Sequence, residues 1–135
     1  GGGLGAPGTP PSPDEPVFRL HRRRLIDGRP VLVEINTLLA SWCPDLLDAR
    51  LDRSLTTVLR ERFGKVQTRC TLNLRLGTVN DDHAELLQLA SGASNLVLER
   101  LNYAEDGLLV EFDQEFWRPD AVSVAVQADF PSRPL

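Results

Sequence analysis

Methionine is absent from all 135 residues, position 1 included, which leads us to expect that something upstream of this chain has been removed. Long apolar runs are absent too. None approaches the roughly 20 residues a membrane-spanning helix needs, and no stretch has the charged start and apolar centre of a signal peptide. The expectation is a cytoplasmic protein with no membrane partner. Basic residues are in deficit, with 15 Lys and Arg against 19 Asp and Glu for a net charge of -4. That leaves no overall basic footprint for gripping nucleic acid directly. The two cysteines, Cys43 and Cys70, form no CxxC pair and have no histidine at metal-ligand spacing, so neither a zinc site nor a redox motif is supported. Cys70 is expected to be a small buried residue and Cys43 half-buried. The only histidines are His21 and His83, and there is no Ser-His-Asp, HExxH or GxxxxGK arrangement. No catalytic residue, metal or cofactor is therefore expected, and His83 is read as an exposed polar residue.

What is present is 41% hydrophobic and 25% charged, the balance of a globular protein of one domain. Residues 1–16, GGGLGAPGTPPSPDEP, bury too little apolar surface to offset the entropy of ordering and are expected to be a flexible linker or tail. Strand-like patterning then runs from Val17 to about Phe130, ahead of a short tail over 131–135. The domain is expected over 17–130.

Within it, VFRLHRRRLI (17–26), an Asp-Gly turn and VLVEINTLL (31–39) read as a hairpin. Leu55, Val58, Leu59 and Phe63 have amphipathic helical spacing, with Asp52 or Ser54 as cap and Gly64 as stop. From Val66 to Leu76, residues alternate so that Val66, Thr68, Cys70, Leu72, Leu74 and Leu76 share a face opposite Gln67, Arg69, Thr71, Asn73 and Arg75. A short helix follows, capped by Asn80 or Asp81 and closed by Gly92. NLVLERLNY and LLVEFDQEFW flank a second Asp-Gly turn, and AVSVAVQ (121–127) reads as a last strand carrying Val122, Val124 and Val126. Hairpins dominate this order, so the fold class is α+β, an antiparallel β-sheet flanked by helices.

The second hairpin carries Glu111, Asp113 and Glu115 at alternate positions, which places them on one face of a strand that is either wet or lines something. Superposing Gly28 on Gly107 gives Glu34 and Glu111 the same parity, with the carboxylates facing away from Val31, Val33 and Ile35 and from Val110, Phe112 and Phe116. Arg22 and Arg24 share a face before the first turn, and Arg100 has the comparable place before the second. Such a face can hold an anionic, hydroxylated small molecule, because Arg forks suit phosphate or carboxylate and Glu accepts from hydroxyl or amine. It can equally be a set of cross-strand ion pairs on a solvated surface.

Four segments in order, RRRLIDGRPVLVE, SLTTVLRERFG, DDHAELLQLASGASNLVLERLNYAEDG and VEFDQEFWRPD, resemble the UTRA domain. This is the effector-binding half of GntR-type bacterial transcription regulators of the histidine-utilisation-repressor branch. The resemblance covers about residues 17–130 and implies a chorismate lyase-like fold. It also implies a small-molecule effector, a homodimer, and operator DNA bound only through an N-terminal winged helix-turn-helix absent from this chain. By the same resemblance, Arg22, Arg24 and Ser54 bind a phosphate or substitute anion, while Glu34, Glu111 and Trp117 handle a sugar end. Arg100 joins them as a candidate ligand-binding residue. Asp113 is assigned to supporting arginine partners and Glu115 to solvent. Trp117 stands where Tyr is common, Gln114 where Arg is common and Leu39 where Pro is usual. The catalytic alternative is a chorismate lyase-like enzyme releasing pyruvate; a pure dimerisation module is a third reading compatible with the first.

Overall fold

The computed structural model describes residues 15–131, so most of the expected N-terminal linker and C-terminal tail lies outside the described residues. Strands β1 (Val17–Ile26) and β2 (Arg29–Leu39) pair antiparallel around Asp27 and Gly28, whose φ angles are 50° and 76°. Two residues with positive φ match the twist of the flanking strands, which is why Asp-Gly serves there. The other hairpin joins β4 (Ser94–Ala104) to β5 (Leu109–Trp117) through a wider loop. There the Gly107 N–H donates to the Ala104 carbonyl and the Ala104 N–H to that of Leu108.

Strand β3 (Gln67–Thr78) pairs with β4, and β2 pairs with β5, giving one antiparallel sheet in the order β1-β2-β5-β4-β3. The second arms of both hairpins thus lie side by side at the centre. Helix α1 (Leu55–Phe63) follows N-cap Ser54 and ends at Gly64, which has a left-handed φ of 63° and donates to the Arg60 carbonyl. Leu55, Val58 and Leu59 pack into a core with Leu20, Leu38, Leu39, Trp42, Cys43, Leu46, Tyr103 and Val110. Helix α2 (Asp81–Leu87) is capped by Asn80, whose side chain accepts from the His83 N–H at 2.8 Å. The fold is α+β, as the patterning indicated.

Several expectations need correction. Helix α2 ends at Leu87 with Gln88 in the left-handed region, and Gly92 instead turns the chain into β4. His83 is half-buried against Phe116, ring centroids 4.4 Å apart, and burial pushes its pKa down. Cys43 is fully buried, whereas Cys70 is exposed because β3 is an edge strand and, among the described residues, no helix covers its leucine row. Among the described residues, 122–131 form no strand, and Val124 and Val126 are exposed.

Candidate functional site

Strand register builds the site. Arg22 lies opposite Glu34, Glu34 opposite Glu115, Asn36 opposite Asp113, Asp113 opposite Arg100, and Glu111 opposite Asn102. Alternation puts all of these on one face, while Val33, Thr37, Phe112 and Phe116 take the other. Helix α1 begins over the polar face, and the space between encloses a cavity of about 490 Å³. Its lining includes Arg22, Arg24, Glu34, Ser54, Arg100 and Glu111, six of the seven residues singled out from sequence. Trp117 is off the lining and touches it indirectly, its Nε1–H donating to Glu115 Oε1 at 2.9 Å. Gln114 falls on the opposite sheet face, opposite Ile35.

The carboxylate row is not solvated. Glu111, Asp113 and Glu115 are 3%, 2% and 6% exposed, because β5 is flanked on both edges by β2 and β4. Glu115, expected in solvent, instead accepts from Arg100 Nη1 at 2.7 Å, and the same nitrogen is 3.7 Å from Asp113. Burial works against the Arg100 charge, but Glu115 and Asp113 outweigh it and hold the guanidinium more firmly charged than usual. Asp113 accepts from Asn36 Nδ2 at 2.8 Å. Burial and then the neighbouring Glu111 carboxylate, to which it is hydrogen-bonded, push the Asp113 carboxyl well above the ordinary range.

Arg22 is more heavily engaged than its placement in sequence suggested. Nη2 donates to Glu34 at 2.6 Å, Nε to Asn36 Oδ1 at 3.1 Å, and Nη1 to the Leu51 and Arg53 carbonyls at 3.2 and 3.1 Å. Four of the five N–H groups of a guanidinium are thereby used, tying the segment before α1 to the sheet. Arg24 is freer: its side chain is 44% exposed and, among the described residues, its one ion-pair partner is Glu34 at 3.9 Å. Ser54 precedes α1 as its N-cap without a side-chain capping hydrogen bond, leaving its hydroxyl free among the described residues at a helix N-terminus.

Asn36, Gln67, Thr68, Arg69 and Asn102 also line the cavity and were not singled out from sequence. Asn36 shares the parity of Glu34, a usable signal. Gln67 and Arg69 gave none, because the register shifts between them and breaks the alternation that assigned both to the far face from Cys70.

This fold and site can be set beside known proteins. Residues 11–123 match the UTRA domain. The effector domain of PhnF from Mycobacterium smegmatis is 26% identical with a TM-score of 0.79, over 85% of this chain and 72% of that one. A GntR-family transcriptional regulator from Enterococcus faecalis superposes at a TM-score of 0.77 and 18% identity, over 87% and 84% of the two chains. The possible transcriptional regulator YydK of Bacillus subtilis superposes at 0.75 and 22% identity, over 86% of this chain but 51% of its own, so this chain spans about half of that protein. The chain belongs to the UTRA domain family and is an effector-binding regulatory domain of the kind found in GntR-type transcription regulators.

Proposed function

We propose that this domain senses a small anionic metabolite, such as a phosphorylated sugar or related compound, in the cavity between the sheet and α1. The observation that carries this reading is the convergence of Arg24, Arg22, Arg100 and the free Ser54 hydroxyl on one cavity of about 490 Å³. Arginine forks and the unpaired N–H groups at the start of α1 both favour an anion, while Glu34, Glu111 and the amides of Asn36 and Gln67 suit hydroxyl groups.

Binding biases one arrangement of a homodimer and so alters DNA affinity of a separate winged helix-turn-helix domain, in the cytoplasm. The apolar row Leu72, Leu74 and Leu76 on edge strand β3 supports a surface for a second copy. The shift cannot exceed the effector's differential affinity for the two arrangements, typically about 1–3 kcal/mol. The reading is of a sensor and not an enzyme, and of the histidine-utilisation-repressor branch. Its support is the match of residues 11–123 to the UTRA domain and the likeness to the effector domain of PhnF.

Thermal unfolding against phosphosugars, phosphonates, urocanate, fatty acids and chorismate tests this. Selective stabilisation by a phosphorylated compound is the expected result. Stabilisation by chorismate alone, with pyruvate release, would replace the sensor reading by the lyase one.

A further inference from the structure

The sheet has two open edges, and they are unlike. Along β1 stand Arg19, Arg23 and Arg24, all exposed, and a charged edge discourages the addition of another strand. Along β3, one face presents Leu72, Leu74 and Leu76, 58%, 40% and 76% exposed, and the other presents Thr71, Asn73 and Arg75. The outer backbone groups of β3 meet no strand among the described residues. Elsewhere the same chain holds a segment with the converse property. Residues 121–130, AVSVAVQADF, set β-branched valines at 122, 124 and 126 with small or polar residues between them, yet form no ladder among the described residues.

Resting on the homodimer reading above, we propose that this segment of each copy pairs as a strand on β3 of the other. An antiparallel register with Val124 opposite Leu74 sets Val122 against Leu76 and Val126 against Leu72. It leaves Ser123, Ala125 and Gln127 beside Arg75, Asn73 and Thr71, so apolar meets apolar on one face and polar meets polar on the other. The same register brings Asp129 level with the exposed Arg69, an opposite charge.

The segment cannot take this place on its own β3. Beyond Trp117 the chain turns through Pro119–Ala121, where Asp120 bonds Arg29 of β2 at 2.6 Å, on the side of β5 away from β3. From β5 the free edge of β3 is three strand spacings off, about 14 Å, and at about 3.3 Å per residue roughly four residues are spent in crossing. Those are 122–125, which carry two of the three valines. A second copy related by a two-fold axis is free of that constraint, and the exchange closes because each copy gives one segment and receives one. Arg69 and Cys70 line the effector cavity, and the register sets Asp129 and Ala128 of the second copy against them. The exchanged strand therefore ends at the rim of the cavity, which joins occupancy of that cavity to the arrangement of the dimer.

Native Cys70 makes the test direct, since it is exposed while Cys43 is buried. In Ala128→Cys, mild oxidation should join the introduced thiol to Cys70 of the other copy, giving a covalent dimer on a non-reducing gel that is absent from the parent and from Ala128→Cys combined with Cys70→Ser. By sedimentation velocity the parent is expected to be a dimer, and Val124→Lys and Leu74→Lys each to weaken it roughly tenfold or more. Both side chains are exposed in the single chain, so folding should be retained. Absence of the covalent dimer, or a dimer that neither lysine weakens, would overturn the exchange and leave the homodimer standing. A parent that is monomeric at every concentration would remove both readings.

Discussion

Removing the Arg22 side chain tests whether this arginine is chiefly a brace or chiefly a ligand contact. In Arg22→Ala, Glu34 loses its 2.6 Å partner in a place where the two side chains are only 14% and 10% exposed. The Leu51 and Arg53 carbonyls and Asn36 Oδ1 lose their donor in the same step. Breaking one side of a buried pair costs about 3–5 kcal/mol, and the partial exposure here argues for about 3. At about 2.1 cal/mol/K per residue of unfolding entropy, an ordered domain of about 115 residues converts this to roughly 12 °C in Tm. Arg24→Ala is the control: its 3.9 Å contact and 44% exposure make it worth about 0.5 kcal/mol or less, roughly 2 °C. Calorimetric or fluorimetric melts of both variants without any added compound are sufficient. Equal Tm values for the two variants would refute the bracing role.

Other outcomes follow from the same geometry. Asp113 binds a proton in the folded state over a range where the unfolded chain, with a carboxyl near 3.8, has lost it. Its contribution is therefore complete below about pH 3.8 and declines as pH rises through the elevated folded value, by up to about 1.4 kcal/mol per pH unit. Asp113→Asn keeps an acceptor for Asn36 and should flatten that decline, becoming more stable than the parent at pH 8 in urea melts; a parallel pH profile would count against the raised Asp113 carboxyl. Burial, with Glu111 nearby, pushes the Cys43 thiol up to about 11, so at pH 8 a thiol reagent should modify exposed Cys70 rapidly and Cys43 only on unfolding. Leu59→Ala, at a fully buried position of α1, should cost about 2–5 kcal/mol by chemical denaturation, and a loss under 1 would contradict the packing of that helix on the sheet.

Local chemistry made much of this fold readable before any coordinates. Asp27-Gly28 and Gly107 each require a positive φ that the sequence advertises, and Ser54, Gly64 and Asn80 mark helix ends by their capping chemistry. Alternation likewise separated Glu34 and the carboxylate row from Val33, Phe112 and Phe116. Which strands neighbour one another was beyond the reach of periodicity. Only the placement of β5 between β2 and β4 buries Glu115 and brings Arg100 to it, so the same residues that looked solvated became an internal ion pair. The edge position of β3 had the reverse effect, exposing Cys70 and a leucine row whose pattern matched a core strand. Val122, Val124 and Val126 have strand propensity, but propensity alone supplies no partner, and these residues form no ladder among those described. In the site, amides such as Gln67 and Asn102 carry no distinguishing pattern and came into view only through the cavity they line.

The claim at the centre of this account is that an anion is held at Arg24 and Ser54, and the most direct measurement compares the parent with an Arg24→Ala, Ser54→Ala double variant across the phosphorylated panel. Both positions carry little of the fold's stability, so the variant should melt within a few degrees of the parent without additions. A compound at a hundred times its Kd adds about 2.7 kcal/mol, and the expected result is that at least one phosphorylated compound raises the parent's Tm by several degrees and the double variant's by less than half as much. Equal stabilisation of both proteins by every compound that binds would place the anion elsewhere and contradict the account.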